Sequence, residues 1–147
     1  MQRYVVGFAH DGEGRVALIE KNRPEWQAGK LNGIGGHVEK GEDPWAAMRR
    51  EFREETGADI DSWELFVRME FPGAEIFFFK ALVSLQQLTE LRTMEDEVVT
   101  IVDWLDPASW PGTATIIPNL NWLVPLAMYR ADQYKVIHVH AAVAEAL

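Results

Sequence analysis

Three glutamates lie close together in the first half of the chain, at Glu51, Glu54 and Glu55. On an α-helix, which advances ~100° per residue, these three carboxylates share an arc of roughly 100°. Clustered carboxylates suit hard cations such as magnesium or calcium, which prefer oxygen ligands. The other interpretation is a solvated acidic face, which is the common state of such a stripe. Helical spacing alone leaves both interpretations open.

A helix over Pro44–Thr56 is predicted to carry these glutamates. Asp43 suits the N-cap, proline suits the first helical position, and Gly57 suits the C-terminal stop. Arg50 lies four residues before Glu54, where it can hold a carboxylate by a charge-assisted hydrogen bond. The apolar residues beside the acidic stripe are expected to pack on the core, and they are Trp45, Met48 and Phe52.

The segments around this helix alternate between short apolar runs and turn sequences. Two hairpins are predicted, one from RYVVGFAH and RVALIEK around DGEG, and one from WELFVRMEF and AEIFFFKALVSL around Pro72-Gly73. LQQLTELRTMEDE is expected to be an irregular loop, followed by a strand (VVTIVDWL), a helix over Asn119–Arg130 interrupted by Pro125, and a strand (YKVIHVHAAV). Strand pairs mixed with helices indicate a mixed sheet covered by helices, in one domain over residues 1–147.

The composition limits the classes of function. The formal net charge of -9 argues against a nonspecific nucleic-acid binder, which would need a basic face. It does not exclude a nucleotide ligand, because bound cations change the local sign of the field. The chain has no cysteine, so thiolate catalysis and zinc–thiolate sites are excluded. No run approaches the ~20 apolar residues of a membrane span or forms a signal peptide, which predicts a soluble cytoplasmic protein.

The segment GHVEKGEDPWAAMRREFREETGA resembles the Nudix box. In that motif a glycine, five residues, a glutamate and seven residues precede Arg-Glu-hydrophobic-x-Glu-Glu-x-Gly-hydrophobic. Only Ala58 departs, standing where a larger aliphatic residue is usual. The matching positions are Gly36, Glu42, Arg50, Glu51, Phe52, Glu54, Glu55 and Gly57. The resemblance implies an α/β/α sandwich with a mixed β-sheet between helices, and a hydrolase that cleaves a nucleoside diphosphate linked to another group with magnesium or manganese.

The resemblance also implies roles by motif position. Glu54 and Glu55 would bind the metal, and Glu51 would be a further ligand or the group that orients or deprotonates water. The carbonyl of Gly35 would complete the metal shell, and Arg50 would anchor a glutamate. The structural positions of the box are Gly36, Glu42 and Gly57. Many family members take one more carboxylate from a distant loop, and the candidates in MEDE, favoured one first, are Glu97, Glu95 and Asp96.

Segments flanking the box bear on the substrate. KLNGIGGH resembles the W-N-G-F-G-G-K segment of the branch that cleaves 8-oxo-dGTP and related oxidised purine nucleotides, with Asn32 at its base-contacting asparagine. IIPNLNWLVPLA resembles that branch's second base-binding segment, with Asn119 in place of an acid and Ile117 in place of a stacking tryptophan. The amide of Asn119 can bond a purine edge or cap a helix. The other departures from the branch are Leu31, His37 and Leu120.

The loop before the box supplies three further candidates. Lys21 and Arg23 would meet phosphates or stay solvated, and Trp26 would stack on a base or cover the sheet. The favoured function is a magnesium-dependent nucleoside triphosphate pyrophosphohydrolase with a small-molecule nucleotide substrate.

Three alternatives are weighed against it. ADP-ribose hydrolases tend to carry a proline near the place of Pro72, a noncatalytic nucleotide sensor would usually have lost box glutamates, and the acidic charge disfavours nucleic-acid ends as substrates. A homodimer is compatible with the apolar, tryptophan-rich composition, which does not decide the question.

Overall fold

The computed structural model describes residues 1–112, 115–129 and 136–140, and within them strands and helices alternate in mixed order. The strands are β1 (Gln2–His10), β2 (Arg15–Glu20), β3 (Lys30–Asn32), β4 (Ile34–His37), β5 (Glu64–Phe71), β6 (Ala74–Leu82), β7 (Val99–Asp103), β8 (Thr115–Ile116) and β9 (Ile137–His140). The α-helices are α1 (Pro44–Thr56), α2 (Leu85–Thr89) and α3 (Leu120–Met128).

These strands form one mixed sheet. Its path is β8-β3-β2-β1-β6-β5-β9, with β4 paired to β1 and β7 paired to β2. The pairs β1–β6, β3–β8 and β5–β9 are parallel, and the remaining pairs are antiparallel. Both predicted hairpins are confirmed, since β1 pairs with β2 and β5 pairs with β6 across the Pro72-Gly73 turn.

The sheet buries an apolar core on each of its faces. One cluster contains Ala9 of β1 with residues of α1 and α2, and the other contains Phe8 of β1 with residues of α3. Because successive strand residues point to opposite faces, these neighbours show that the sheet lies between α1 and α3. The fold is therefore the predicted α/β/α sandwich with a mixed β-sheet between helices.

One edge of β1 is divided between two partner strands. β2 pairs with β1 at His10, whereas β4 pairs with it from Tyr4 to Gly7. This division leaves room for the glycine-containing strand β4 to run beside β1 and beneath α1. It places Gly36 next to Glu51 of the helix and Gly35 against the backbone of β1.

The helix α1 begins and ends at the predicted residues. The Asp43 carboxylate accepts hydrogen bonds from Trp45 N at 2.8 Å and Ala46 N at 3.4 Å, and Gly57 ends the helix with a φ of 79°. Met48 and Phe52 are fully buried, as predicted. Trp45 is the exception, because its side chain is 37% exposed and its indole N–H donates to Trp63 O at 3.1 Å. It braces the helix against the segment before β5 instead of filling the core.

The expectation of an irregular loop over LQQLTELRTMEDE was wrong for its first part. Residues Leu85–Thr89 form α2, which begins with a capping box. The Ser84 hydroxyl accepts from Gln87 N at 3.0 Å, and the Gln87 side chain accepts from Ser84 N at 2.9 Å. Leu88 is buried and anchors the turn. The Ser-x-x-Gln spacing is the signal that could have predicted this helix.

The last elements lie within the predicted segments. α3 runs from Leu120 to Met128, and Pro125 lies inside it without ending it. Residue 130 of the predicted helix, and residues 134–135 and 141–143 of the predicted last strand, lie outside the described residues. Among the helices that the structure describes, none is long and apolar enough to cross a membrane.

Candidate active site

The three glutamates of the acidic stripe of α1 differ in exposure. The Glu54 side chain is 46% exposed, the Glu51 side chain is 14% exposed, and Glu55 is buried. Buried carboxylates are rare unless they are paired or bind a cation. The stripe is therefore not a uniformly solvated face, which was one of the two interpretations of its sequence.

Arg50 connects the glutamates of this region. Its guanidinium donates to both carboxylate oxygens of Glu42 at 2.8 and 2.9 Å, to Glu51 at 2.9 Å and to His37 O at 3.0 Å. A longer contact reaches Glu54 at 3.3 Å. The Arg50 guanidinium holds the pKa of Glu42 below its usual range, and the carboxylates in turn raise the pKa of Arg50. Arg50 thus stays charged while it orients the side of the stripe that faces β4.

Two adjacent glycines let β4 approach its neighbours closely. A Cβ atom on Gly35 would lie 1.8 Å from the backbone oxygen of Val5, and one on Gly36 would lie 2.5 Å from the Glu51 carboxyl carbon. Gly35 is therefore required by the packing of β4 on β1, and Gly36 by the position of Glu51.

This difference predicts different outcomes for two alanine variants. Gly35→Ala forces two backbones apart and is expected to destabilise the fold by about 3 kcal/mol. In Gly36→Ala the added methyl group contacts only the end of the Glu51 side chain, which can move. The loss of stability is therefore expected to be below about 1 kcal/mol, while the displacement of Glu51 lowers activity. Urea unfolding and steady-state kinetics on both variants measure this. Equal losses of stability would contradict the assignment.

A second acidic segment is tied to the C-terminal end of α1. Backbone hydrogen bonds join Arg92 N to Thr56 O and Met94 N to Glu55 O, each at 3.0 Å. They bring the loop after α2 alongside the stripe. In this loop Glu97 is buried, whereas Glu95 and Asp96 are exposed.

Glu55 lies within the electrostatic influence of the other acids of the stripe and of this loop. Burial raises the pKa of Glu55 to about 7, and the charges of Glu95, Glu97 and Glu51 contribute to the rise. Its Oε2 atom is buried and has no hydrogen-bond partner. A buried hydrogen-bond acceptor that has no donor lowers the stability of the folded state. A cation beside Glu55 would satisfy this oxygen and offset the repulsion between the carboxylates.

The basic residues predicted to meet phosphates are paired with this loop. Lys21 Nζ lies 2.9 Å from Glu97 Oε1, and the backbone N–H of Asn22 donates to Glu97 Oε2 at 2.5 Å. Arg23 pairs with Asp96 at 3.1 Å on the surface. The role of Asn22 had no signal in the sequence, since a backbone donor carries none.

Two asparagines predicted to contact the base lie near the C-terminal ends of neighbouring strands. Asn32 ends β3 and Asn119 follows β8, and these strands run parallel, with Ile117 N bonded to Leu31 O. The Asn32 amide donates to Gln27 Oε1 at 3.2 Å. The Asn119 side chain makes no capping bond to α3, and its Nδ2 atom is buried without a partner. Asn119 thus occupies the N-cap position that one interpretation gave it, but its side chain does not cap the helix.

The tryptophan of the preceding loop is half-exposed. Trp26 lies in a single 3-10 turn over Glu25–Gln27, with 37% of its surface accessible. Its carbonyl accepts from Lys30 Nζ at 2.8 Å, which fixes the turn. Ile117, the residue in place of a stacking tryptophan, is buried in the core. Of the two positions, Trp26 is therefore the one with an exposed side chain.

Comparison with known proteins decides the family. The model of the NUDIX domain matches residues 1–122. The chain belongs to the Nudix family. The expected enzyme class, a hydrolase of this family that acts on phosphoric anhydride bonds, is confirmed with it.

One curated relative and several solved structures are similar to this Nudix hydrolase. A protein of Danio rerio named oxidized purine nucleoside triphosphate hydrolase is 44% identical over 62 residues, which are 41% of this chain and 39% of that protein. The match thus spans well under half the length of that relative.

The solved structures show the fold. A NUDIX hydrolase from Nitrosomonas europaea has a TM-score of 0.72 at 16% identity, covering 97% of this chain and 79% of that one. The MutT protein from Bacillus halodurans has a TM-score of 0.65 at 18% identity, covering 97% and 91%. A structure from a study of MutT from Aliivibrio salmonicida and Vibrio cholerae has a TM-score of 0.65 at 20% identity, covering 86% and 96%.

Nudix hydrolases generally use divalent metals, and the residues of this site fit one. In the described part of the chain, no three His, Asp or Glu side chains converge on a single point. Magnesium does not require such a cage, because it is commonly held by one or two carboxylates together with substrate phosphates. The buried, unpartnered Glu55 oxygen, next to Glu51 and the loop acids, is the feature that fits the ion.

Proposed function

We propose that this Nudix hydrolase is a magnesium-dependent nucleoside triphosphate pyrophosphohydrolase that acts on purine nucleotides, oxidised ones such as 8-oxo-dGTP among them. Water and the triphosphate would give a nucleoside monophosphate and pyrophosphate. The observation that carries the proposal is the Glu55 oxygen, which is buried without a partner among other carboxylates. An anionic substrate would be repelled by this site unless cations came with it.

The metal would be held by the box glutamates and one distant acid. The residues proposed to hold the metal ions, with one or two carboxylates on each ion, are Glu51, Glu54, Glu55, Glu97 and the carbonyl of Gly35. When bound, magnesium or manganese neutralises phosphate oxygens and lowers the pKa of a water molecule. The protein's own contribution is to hold these oxygens in place, which Arg50 does for Glu51 and Glu54.

Glu51 is also placed to orient the attacking water or take its proton. Burial raises the pKa of Glu51, and its hydrogen bond to Arg50 opposes that rise. A raised pKa makes a carboxylate a better proton acceptor near neutral pH. Arg50 fixes the Glu51 side chain in one orientation, so the proton-accepting oxygen has a defined position.

Asn119, Asn32 and Trp26 are proposed to bind the base. The buried Asn119 Nδ2 lacks a partner and can donate to a purine acceptor, while its oxygen can accept. Asn32 lies on the neighbouring strand, and the half-exposed Trp26 ring can stack on the base. The name of the Danio rerio relative, an oxidized purine nucleoside triphosphate hydrolase, supports this substrate class.

Chromatography of the nucleotide products over a panel of substrates tests the proposal, because hydrolysis of ADP-ribose gives AMP and ribose 5-phosphate and releases neither phosphate nor pyrophosphate. The panel contains dNTPs, oxidised dNTPs, ADP-ribose and dinucleoside polyphosphates, each with magnesium and with EDTA. The expected result is the highest kcat/KM for a purine triphosphate and loss of turnover in EDTA. A preference for ADP-ribose would replace the substrate assignment, and turnover in EDTA would contradict the metal requirement.

The base site is tested with two asparagines of the same segment. Asn119→Ala is expected to raise KM for the preferred purine about tenfold, because a donor to the base is lost. Asn121 is exposed on the first turn of α3, so Asn121→Ala is the matched control and should leave KM unchanged. Equal effects of the two substitutions on KM would contradict the role of Asn119.

A further inference from the structure

The ion pair between Lys21 and Glu97 joins two residues with different expected ligands. Lys21 is 21% exposed and Glu97 is 6% exposed at their side chains, and they lie 2.9 Å apart. The backbone N–H of Asn22 donates a hydrogen bond to the second carboxylate oxygen of Glu97 at 2.5 Å. Both oxygens of the proposed metal-binding acid are therefore held by nitrogen donors.

While this ion pair is intact, Glu97 does not bind a cation and Lys21 does not bind a phosphate. A cation cannot approach the Glu97 oxygen while an ammonium group lies against it, because the two positive charges would repel. Lys21 likewise cannot give its full charge to a phosphate while Glu97 neutralises it. Removing one partner of a pair this far buried would leave an uncompensated charge. Each residue must therefore gain a new partner when it loses the other.

A lysine side chain is suited to such an exchange. Its compact ammonium sits on a flexible four-carbon stem and can change partners without moving the backbone. The neighbouring pair of Arg23 and Asp96 is different, since its side chains are 70% and 57% exposed. Exposed pairs of this kind contribute little and need no replacement partner.

We propose that Lys21 and Glu97 form an exchangeable ion pair, in which a divalent cation takes the place of Lys21 at Glu97 and the released ammonium binds a substrate phosphate. This inference rests on the proposed metal-dependent function and goes beyond it. It makes metal binding and phosphate binding mutually dependent. A cation without phosphate must displace Lys21 into water, and phosphate without a cation must strip Lys21 from Glu97.

The first test measures the affinity for inorganic pyrophosphate in EDTA by titration calorimetry. Glu97→Gln frees Lys21 and is expected to tighten binding about tenfold relative to the wild type. Glu95→Gln is the matched control, because it removes the same charge from the same loop and Glu95 makes no ion pair with Lys21. It is expected to change the affinity by no more than about twofold.

The gain must also depend on Lys21. In the Lys21→Met background, Glu97→Gln is expected to give no more tightening than Glu95→Gln. Equal gains for the two glutamine variants would overturn the exchange, as would a gain that survives Lys21→Met or an absence of pyrophosphate binding to Glu97→Gln. Thermal melts of each variant establish that it is folded.

The second test measures binding of magnesium alone. Lys21→Met removes the competitor for Glu97 and is expected to lower the magnesium Kd about fivefold. Lys30→Met is the control, because the Lys30 ammonium bonds the Trp26 carbonyl rather than an acid, and its Kd should match the wild type. An unchanged or weaker magnesium affinity in Lys21→Met would contradict the proposal.

Neither test uses turnover or a nucleotide. If the substrate panel shows no triphosphate hydrolysis while both binding tests succeed, only the substrate assignment falls. If the enzyme turns over a triphosphate while Glu97→Gln and Glu95→Gln behave alike, only the exchange falls.

Discussion

Glu55→Gln is expected to lower kcat by about 10²- to 10⁴-fold, the loss typical of removing a group that acts on the reacting atoms. Glu55 is the most buried carboxylate of α1, and one of its oxygens has no hydrogen-bond partner. A neutral amide of the same shape keeps the packing but cannot neutralise a cation. Steady-state kinetics at saturating magnesium measure the change. Glu13→Gln, in the exposed turn between β1 and β2, is the matched control and should retain full kcat.

The same substitution is expected to stabilise the protein in the absence of metal. The pKa of Glu55 is raised from 4.5 to about 7, so the folded state disfavours its charged form. The penalty is absent below pH 4.5, grows as the pH rises through about 7, and is complete at pH 8. Removing the charge should therefore raise the free energy of unfolding by about 1–3 kcal/mol at pH 8 and leave it nearly unchanged at pH 4.

Urea unfolding in EDTA at the two pH values measures this effect. Retained turnover in Glu55→Gln would contradict the proposed role in the active site. A loss of stability at pH 8 would contradict the electrostatic account of Glu55. A fall in kcat together with a rise in the free energy of unfolding would show that the charge of Glu55 serves catalysis and destabilises the metal-free fold. This relation is expected for a carboxylate whose charge is neutralised only when a cation binds.

The parts of the fold that sequence predicted well are determined by neighbouring residues. The limits of α1 follow from Asp43, Pro44 and Gly57, whose backbone preferences act within one turn. The second hairpin follows from Pro72-Gly73 between two apolar runs. The capping box of α2 was equally local, and it was missed because the polar character of the segment was given more weight than its Ser-x-x-Gln spacing.

The site could be predicted only to the level of residue types. The box spacing placed three carboxylates on one helix, but it gave no exposure for any of them. The contact of Lys21 with Glu97 joins residues 76 positions apart, and no local pattern determines such a contact. Asn119 shows the same limit, because its missing cap bond depends on the backbone at the start of α3. Long-range packing decides these features.

Arg50→Ala is the second substitution with a large expected effect. Arg50 is 19% exposed at its side chain and contacts three glutamates and the His37 carbonyl. Its loss leaves the largely buried carboxylates of Glu42 and Glu51 without a cation, which is expected to destabilise the fold by about 3 kcal/mol. It also releases Glu51 and Glu54 from their orientation, so kcat is expected to fall about 100-fold. Urea unfolding and kinetics measure the two losses separately.

The neighbouring Arg49 provides a control that distinguishes the loss of the Arg50 contacts from the loss of one positive charge on α1. Arg49 makes a two-bond contact with Asp59 at 2.7 and 2.8 Å, but the pair is exposed. Arg49→Ala removes the same charge from α1 and is expected to lower stability by less than about 1 kcal/mol with kcat unchanged.

The effect of Arg50 on stability is expected to depend on pH. Because Arg50 lowers the pKa of Glu42, the ion pair between them stabilises the fold above pH 4.5, and this stabilisation disappears as the pH falls below 4.5. The difference in stability between the two variants should therefore shrink toward pH 3, and a difference that is independent of pH would show that Arg50 acts through packing alone.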